Sequence, residues 1–198
     1  MVTTLALLLS GIWGYLLGAV PTGVIVARLA RGEDVRRHGS GHTGGLNVAR
    51  VAGIWAGALT AVIDGLLGLA AVLGAALLMD NPWAGTVAGT MAVIGHDWSI
   101  FIRLGGGIGL AKLVGALVGL DPLRALAALT TVTILWLLLT RLLHLHRARS
   151  TILVIALAGL LLWLLGASPP TILLGAIGGL VVILKTIPDW NRKYEGSG

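Results

Sequence analysis

The segment Gly39-Ser40-Gly41-His42-Thr43-Gly44-Gly45-Leu46-Asn47-Val48-Ala49-Arg50 concentrates more hydrogen-bonding capacity than any other stretch of this chain. Its glycines let the backbone take φ > 0 and approach a ligand closely. Successive N–H groups in such a stretch can form a concave nest for an anion. Ser40 offers a hydroxyl, Asn47 an amide and Arg50 a planar guanidinium that fits a phosphate or carboxylate. Spacing alone leaves two readings open, an anion nest or an ordinary flexible loop.

Three further groups of residues could take part in the same chemistry. His96-Asp97 follows an apolar run, and a histidine there can donate, accept or shuttle a proton or simply make an interfacial hydrogen bond. Gly105-Gly106-Gly107-Ile108-Gly109 leads towards Lys112, and glycines ahead of a helix N-terminus suit an anion. Asp189-Trp190-Asn191-Arg192 places polar groups after the last apolar run, where by itself it reads as a cap and anchor. Asp64 lies inside an apolar run, so its carboxylate needs a polar interior or a partner. It either orients Arg50 or a neighbouring backbone group or makes a helix–helix hydrogen bond as a protonated acid, and a structural or supporting role is expected. His144 and His146 have no metal-ligand spacing and arginines beside them, which makes them solvated interfacial residues. No metal site or cofactor motif is expected.

The elements that must hold these groups are membrane helices. The chain has 198 residues, 57% hydrophobic and only 11% charged, with a mean hydropathy of +0.96. Soluble domains carry about 25% charged residues, so the composition describes an all-α integral membrane protein. Apolar runs fall at 3–27, 51–79, 83–102, 108–120, 123–143, 151–165 and 171–187. Seven transmembrane helices are expected, the fourth and sixth short or re-entrant because a crossing takes about 20 residues. Without a long linker or a convincing internal repeat, residues 1–198 form one domain. The first apolar run lacks a basic leader and is expected to stay in the mature chain.

Basic residues sort to one side. Arg28, Arg31, Arg36, Arg37 and Arg50, then Arg103 and Lys112, then Arg141, Arg147 and Arg149, then Lys185, Arg192 and Lys193 all fall on the odd-numbered connections or the tail. Only Arg124 falls on the other side. Positive-inside sorting therefore puts the N-terminus outside, the C-terminus in the cytoplasm, and all four polar patches on the cytoplasmic face. The net charge of +6 is spread over these short loops, which suits anionic lipid rather than nucleic acid. Within the first run, Gly11, Gly14, Gly18 and Gly23 predict close helix packing, and Pro21 predicts a kink. Trp13, Trp83, Trp98, Trp163 and Trp190 read as interfacial anchors, Trp55 and Trp136 as packing residues.

The segments 15–23, 34–50, Asp64 with Gly68, and Ile94-Gly95-His96 occur in an order that resembles the bacterial membrane glycerol-3-phosphate acyltransferases that use acyl phosphate, the PlsY family. That family's first motif is approximately G-S-G-N-x-G-x-T-N-x-x-R. Gly39, Ser40, Gly41, Gly44, Asn47 and Arg50 match it, while His42 and Leu46 depart. The resemblance implies transfer of a fatty acyl group from acyl phosphate to the 1-hydroxyl of glycerol 3-phosphate, giving lysophosphatidic acid and phosphate without a metal or cofactor. It implies Ser40, Arg50 and His96 as catalytic residues. Gly39, Gly41, Gly44, Asn47, Gly106, Gly107, Gly109, Lys112 and Asn191 would bind substrate, with Asp64 in support. The implied location is the bacterial cytoplasmic (inner) membrane.

The departures fall mainly on polar positions. The second motif resembles K-G-G-K-G-V-A-T with both lysines replaced, by Gly105 and Ile108, and Leu67 stands where the family has another lysine. A C-terminal H-R-x-N-I-x-R-L-L pattern becomes 186–194, with Thr186 for its histidine and Asp189 for its first asparagine. Each lost charge-assisted hydrogen bond is worth roughly 1.5–3 kcal/mol, and Lys112, one turn beyond Ile108, is placed to compensate in part. Two alternatives to an active acyltransferase follow: a non-catalytic lipid- or phosphate-binding partner of an intact paralogue, and a small anion transporter.

Overall fold

The structure is a computed structural model that describes residues 2–79 and 81–192. Lys193 from the loop-charge reading, and Tyr194 from the C-terminal pattern, lie outside the described residues. The helices run α1 Val2–Ala19, α2 Thr22–Arg31, α3 Gly45–Ala52, α4 Ile54–Leu78, α5 Ala84–Asp97, α6 Leu110–Leu120, α7 Pro122–Leu137, α8 Arg147–Leu164 and α9 Pro169–Thr186. Among the described residues there is no strand, only an isolated bridge between Ser99 and Gly105.

Every apolar run becomes a helix, but the lengths differ from expectation. Five stretches are long and apolar enough to cross a membrane: Thr4–Arg31, Ile54–Leu78, Pro122–Leu142, Arg147–Leu164 and Pro169–Asp189. The third run is the shortened one besides the fourth, because α5 stops at Asp97 and residues 98–105 fold back through Ser99 N–H to the Gly105 carbonyl. The sixth, expected short, reaches 18 residues. Its start moves upstream because His146 caps it, Nδ1 accepting from the Ala148 N–H at 3.3 Å. Pro21 breaks the first run between α1 and α2, as a residue without an N–H must.

The interior is made of small residues and the exterior of large ones. Ala19, Ala71, Ala84, Ala88, Ala92 and Ala116 are fully buried, whereas Leu8, Leu66, Leu77 and Leu123 are each more than half exposed. In water that arrangement would waste apolar area. In lipid the large side chains meet acyl chains while small ones let backbones touch. On α1, Gly14 and Gly18 sit against the Ala88 and Ala92 carbonyls of α5, and a Cβ at either would overlap them. Gly115 of α6 meets the Gly65 carbonyl of α4 in the same way. These two seams set α1, α5, α4 and α6 side by side, and α9 packs against α5 and α8.

One aromatic expectation is corrected. Trp55, read as a packing residue, is 85% exposed at the first turn of α4. Its position next to the helix end makes it a surface anchor instead. Trp136 does pack, donating Nε1–H to Thr151 Oγ at 3.1 Å.

Candidate active site

Asn47 is the hub of the glycine-rich loop. Its side-chain amide donates to the carbonyls of Val35, His38 and His42 at 3.1, 3.0 and 3.0 Å, and its Oδ1 accepts from the Ser40 N–H at 3.0 Å. Asn47 therefore satisfies a tight turn that the chain could not otherwise close with its polar groups buried. The turn needs left-handed backbone at Gly39 (φ 56°) and Gly41 (φ 74°). A Cβ at Gly39 would also strike Asn47 Oδ1. Just upstream, Asp34 caps a 3₁₀ turn at Val35–Arg37 and accepts from the Arg36 side chain at 2.9 and 2.6 Å. That bond, with further help from the Arg36 N–H and Arg28, holds the Asp34 carboxyl well below the usual carboxylate range.

The four polar patches do meet. Thr43 N–H donates to the Gly106 carbonyl at 3.3 Å, joining the first loop to the second. Gly107 N–H donates to the His96 carbonyl at 3.1 Å, and a Cβ on Gly107 would run into the His96 ring and approach the Gly44 N–H. His42 Nε2 lies 2.6 Å from Asp189 Oδ2, which brings in the C-terminal turn. Gly109, with φ 66°, starts α6 beside the Asp97 carboxylate.

Within this arrangement the expected residues divide. Ser40 is buried at the turn, its Oγ accepting from the His42 N–H at 3.4 Å. Gly44 is the residue before α3, and its carbonyl receives the N–H groups of Asn47 and Val48. Arg50 lies in the last turn of α3 and is exposed; with Glu33, His38, Gly39 and Val51 it lines an open cleft of about 340 Å³. His96 is buried at the end of α5. Gly106 and Gly107 are buried against it.

Three placements correct the expectations. Lys112 is fully buried, with Nζ 3.0 Å from Asp64 Oδ1, rather than standing in for the lysine replaced by Ile108 in the glycine loop. A cation on this face of α6 finds a carboxylate on α4 before it finds the loop. By the same contact Asp64 is paired with Lys112, not with Arg50, and His96 Nδ1 stands 3.7 Å from the same oxygen. Asn191 is exposed and accepts from the Arg149 guanidinium, which also lies 5.5 Å over the Trp190 ring. Three of the replaced family positions are ordinary in their surroundings: Thr186 returns its hydroxyl to the Val182 carbonyl, and Leu67 and Ile108 are half-buried.

Two participants escaped sequence reasoning. Lys185, counted only as a loop charge, donates Nζ to the Asp97 carbonyl at 2.6 Å and lies 4.6 Å from the centre of the Trp98 ring. Its spacing four residues before Asp189 was the available signal. The His42–Asp189 contact joins residues 147 apart, and only their each being a departure from a family motif linked them.

A model of the family described as glycerol-3-phosphate acyltransferase matches residues 8–196. A glycerol-3-phosphate acyltransferase of Synechococcus sp. (strain JA-3-3Ab) is 40% identical over 98% of this chain and 92% of its own. Among solved structures, the glycerol 3-phosphate form of PlsY (YgiH), an integral membrane glycerol 3-phosphate acyltransferase, superposes with a TM-score of 0.80 at 29% identity, covering 94% of this chain and 90% of that one. The lysophosphatidic acid form of the same protein gives 0.79 at 28% identity with the same coverage.

Proposed function

The chain belongs to the glycerol-3-phosphate acyltransferase family, a membrane acyltransferase of phospholipid synthesis, and from that premise we propose a donor, an acceptor and a site. The donor is an acyl phosphate and the acceptor is the 1-hydroxyl of glycerol 3-phosphate, so that lysophosphatidic acid and phosphate leave. The glycerol 3-phosphate and lysophosphatidic acid forms of the neighbouring structure support that acceptor and product.

The observation that carries the reading is the seam between the 39–50 loop and the 105–109 loop, tied through Thr43 and Gly106. Arg50, Ser40 and the left-handed Gly39–Gly41 backbone take a phosphate group there. Bound side by side, the two substrates react as one unit. Donors aimed at the carbonyl oxygen and at the phosphate then stabilise charge as it develops. Gly106, Gly107 and Gly109 line the reacting group where side chains would exclude it. His96 holds the second loop by its carbonyl and sits over Gly107; its buried ring serves the shape of the site.

For topology, seven crossings place the N-terminus outside and the whole site on the cytoplasmic face of a bacterial inner membrane, with residues 1–198 as one domain. The one-sided loop arginines support this. The non-catalytic partner and the anion transporter have no structural observation in their favour, and the missing lysines leave Arg50 as the cation of the loop.

Detergent-purified protein given an acyl phosphate and glycerol 3-phosphate is expected to release phosphate and form lysophosphatidic acid. Arg50→Ala is expected to lower kcat/KM by about 10²-fold or more, the loss of a charged donor in a site of this kind. Formation of no lysophosphatidic acid by the wild-type protein, with several acyl chain lengths, would overturn the reading.

A further inference from the structure

His42 has its backbone pinned on both sides. Its N–H donates to Ser40 Oγ at 3.4 Å and its carbonyl accepts from Asn47 at 3.0 Å. The next residue, Thr43, is bonded to Gly106. The imidazole that projects from this fixed point meets Asp189, whose Oδ2 is 2.6 Å from Nε2. Asp189 is itself buried, 4% exposed, and its Oδ1 faces Arg192 Nη1 at 3.4 Å. A carboxylate at Nε2 makes that nitrogen the hydrogen-bearing one and leaves Nδ1 as the basic nitrogen of the ring. A base oriented by a third group on its far side is the arrangement that general-base catalysis requires.

The buried histidine of the site, His96, is less suited to proton transfer. His96 has a 7% exposed side chain, with Nδ1 toward Asp64 and Nε2 against Gly107. His42 keeps 21% of its side chain open, on the glycine turn between Ser40 and Thr43. Among the described residues, the charged and titratable groups around the pair include Arg192 on the C-terminal turn, Lys185 on α9 acting on Asp189, and His96 on α5 acting across the loop.

We propose that His42, oriented by Asp189, is the proton carrier of acyl transfer. Nδ1 takes the proton of the acceptor hydroxyl as its oxygen bonds to the acyl carbonyl carbon. The bond from that carbon to the phosphate oxygen then breaks, and the imidazolium returns the proton to the departing phosphate. One alcohol and one acyl phosphate become one ester and one hydrogen phosphate, with the histidine restored. The assignment rests on the acyl-phosphate reading above.

The test uses full-length His42→Gln, His42→Asn and Asp189→Asn proteins in detergent, with an acyl phosphate and glycerol 3-phosphate across the pH range of histidine titration. Both His42 variants are expected to lose kcat by roughly 10²–10⁴-fold with KM little changed, the range of general acid–base catalysis. The acidic limb of the wild-type kcat/KM profile is expected to vanish with them. Asp189→Asn is expected to lower kcat as well, with KM little changed, because the ring loses the group that orients it. An acidic limb that survives in both His42 variants, or a loss confined to KM, overturns the proposal. The ring can also be read without turnover, by nitrogen NMR of histidine-labelled protein. Asp189→Asn must shift the His42 tautomer, and an unchanged tautomer overturns the dyad while leaving the acyltransfer reading intact. A wild-type protein that makes no lysophosphatidic acid fails the reading itself and the proposal with it.

Discussion

Two acid–base contacts lie close together in this protein, and they differ in almost everything but composition. The first, Asp64 with Lys112 and His96, joins α4, α6 and α5 and is sealed: the side chains are 2%, 0% and 7% exposed. The second, His42 with Asp189, joins a loop to the C-terminal turn and is open on the histidine side. Removing a charge pair from water costs more than the pairing alone returns unless geometry and partners are good. The sealed cluster therefore acts as a fixed connection between helices, and its groups are spent on one another. The open pair leaves part of the histidine side chain exposed. Burial, rather than residue type, separates scaffold from chemistry here.

The largest effect is expected where the sealed cluster is broken on one side. Lys112→Met leaves the Asp64 carboxylate buried without its cation, a loss of about 3–5 kcal/mol. A denaturation midpoint in micelles would read it, and Asp64→Leu added to Lys112→Met should recover most of the loss. If Lys112→Met is as stable as wild type, the cluster is not the connection described here.

A smaller loss is expected on the open side from Asn47→Ala. Three carbonyls lose their donor and the Ser40 N–H loses its acceptor, costing roughly 1–3 kcal/mol for buried groups left unpaired. The loss should be confined to the loop: hydrogen exchange speeds up over 35–47 while α4 and α6 stay protected. Uniform loss of protection through α4 and α6 would remove the distinction between the two regions.

The smallest effect concerns Asp34, whose carboxyl is held low by Arg36. A depressed folded-state value means the contribution is present above the ordinary carboxylate value near ~3.9 and is lost as pH falls through the lower folded value. Asp34→Asn should cost under about 1 kcal/mol at neutral pH, as partly exposed ion pairs do. It should also flatten the acid-side decline in loop protection. An identical acid response in the variant would assign that decline elsewhere.

Much of the frame was legible because it depends on local chemistry. Gly14 and Gly18, spaced by about one helical turn, marked the α1 face on which α5 packs, and Pro21 marked the break after it. The loop glycines marked left-handed backbone at positions 39 and 41. Helix lengths were less legible, since the end of α5 is decided by a fold-back through Ser99 and Gly105 that apolar content does not encode. Trp55 was misread because depth along a hydrophobic run is not depth in the structure: the run begins three residues before α4 does, with Trp55 at its surface.

The sequence alone determined that this is a helical membrane protein with small-residue seams and a polar loop built around glycine, serine, asparagine and arginine. Those properties follow from composition and from spacings within one helix or one turn. Tertiary structure alone decided which acid faces which base: Lys112 goes to Asp64, Lys185 to the Asp97 carbonyl and His42 to Asp189. A helical residue points in a direction fixed only relative to its own axis. Its partner depends on how the helices are rotated and set against each other, which is a property of the packed bundle and not of any one segment.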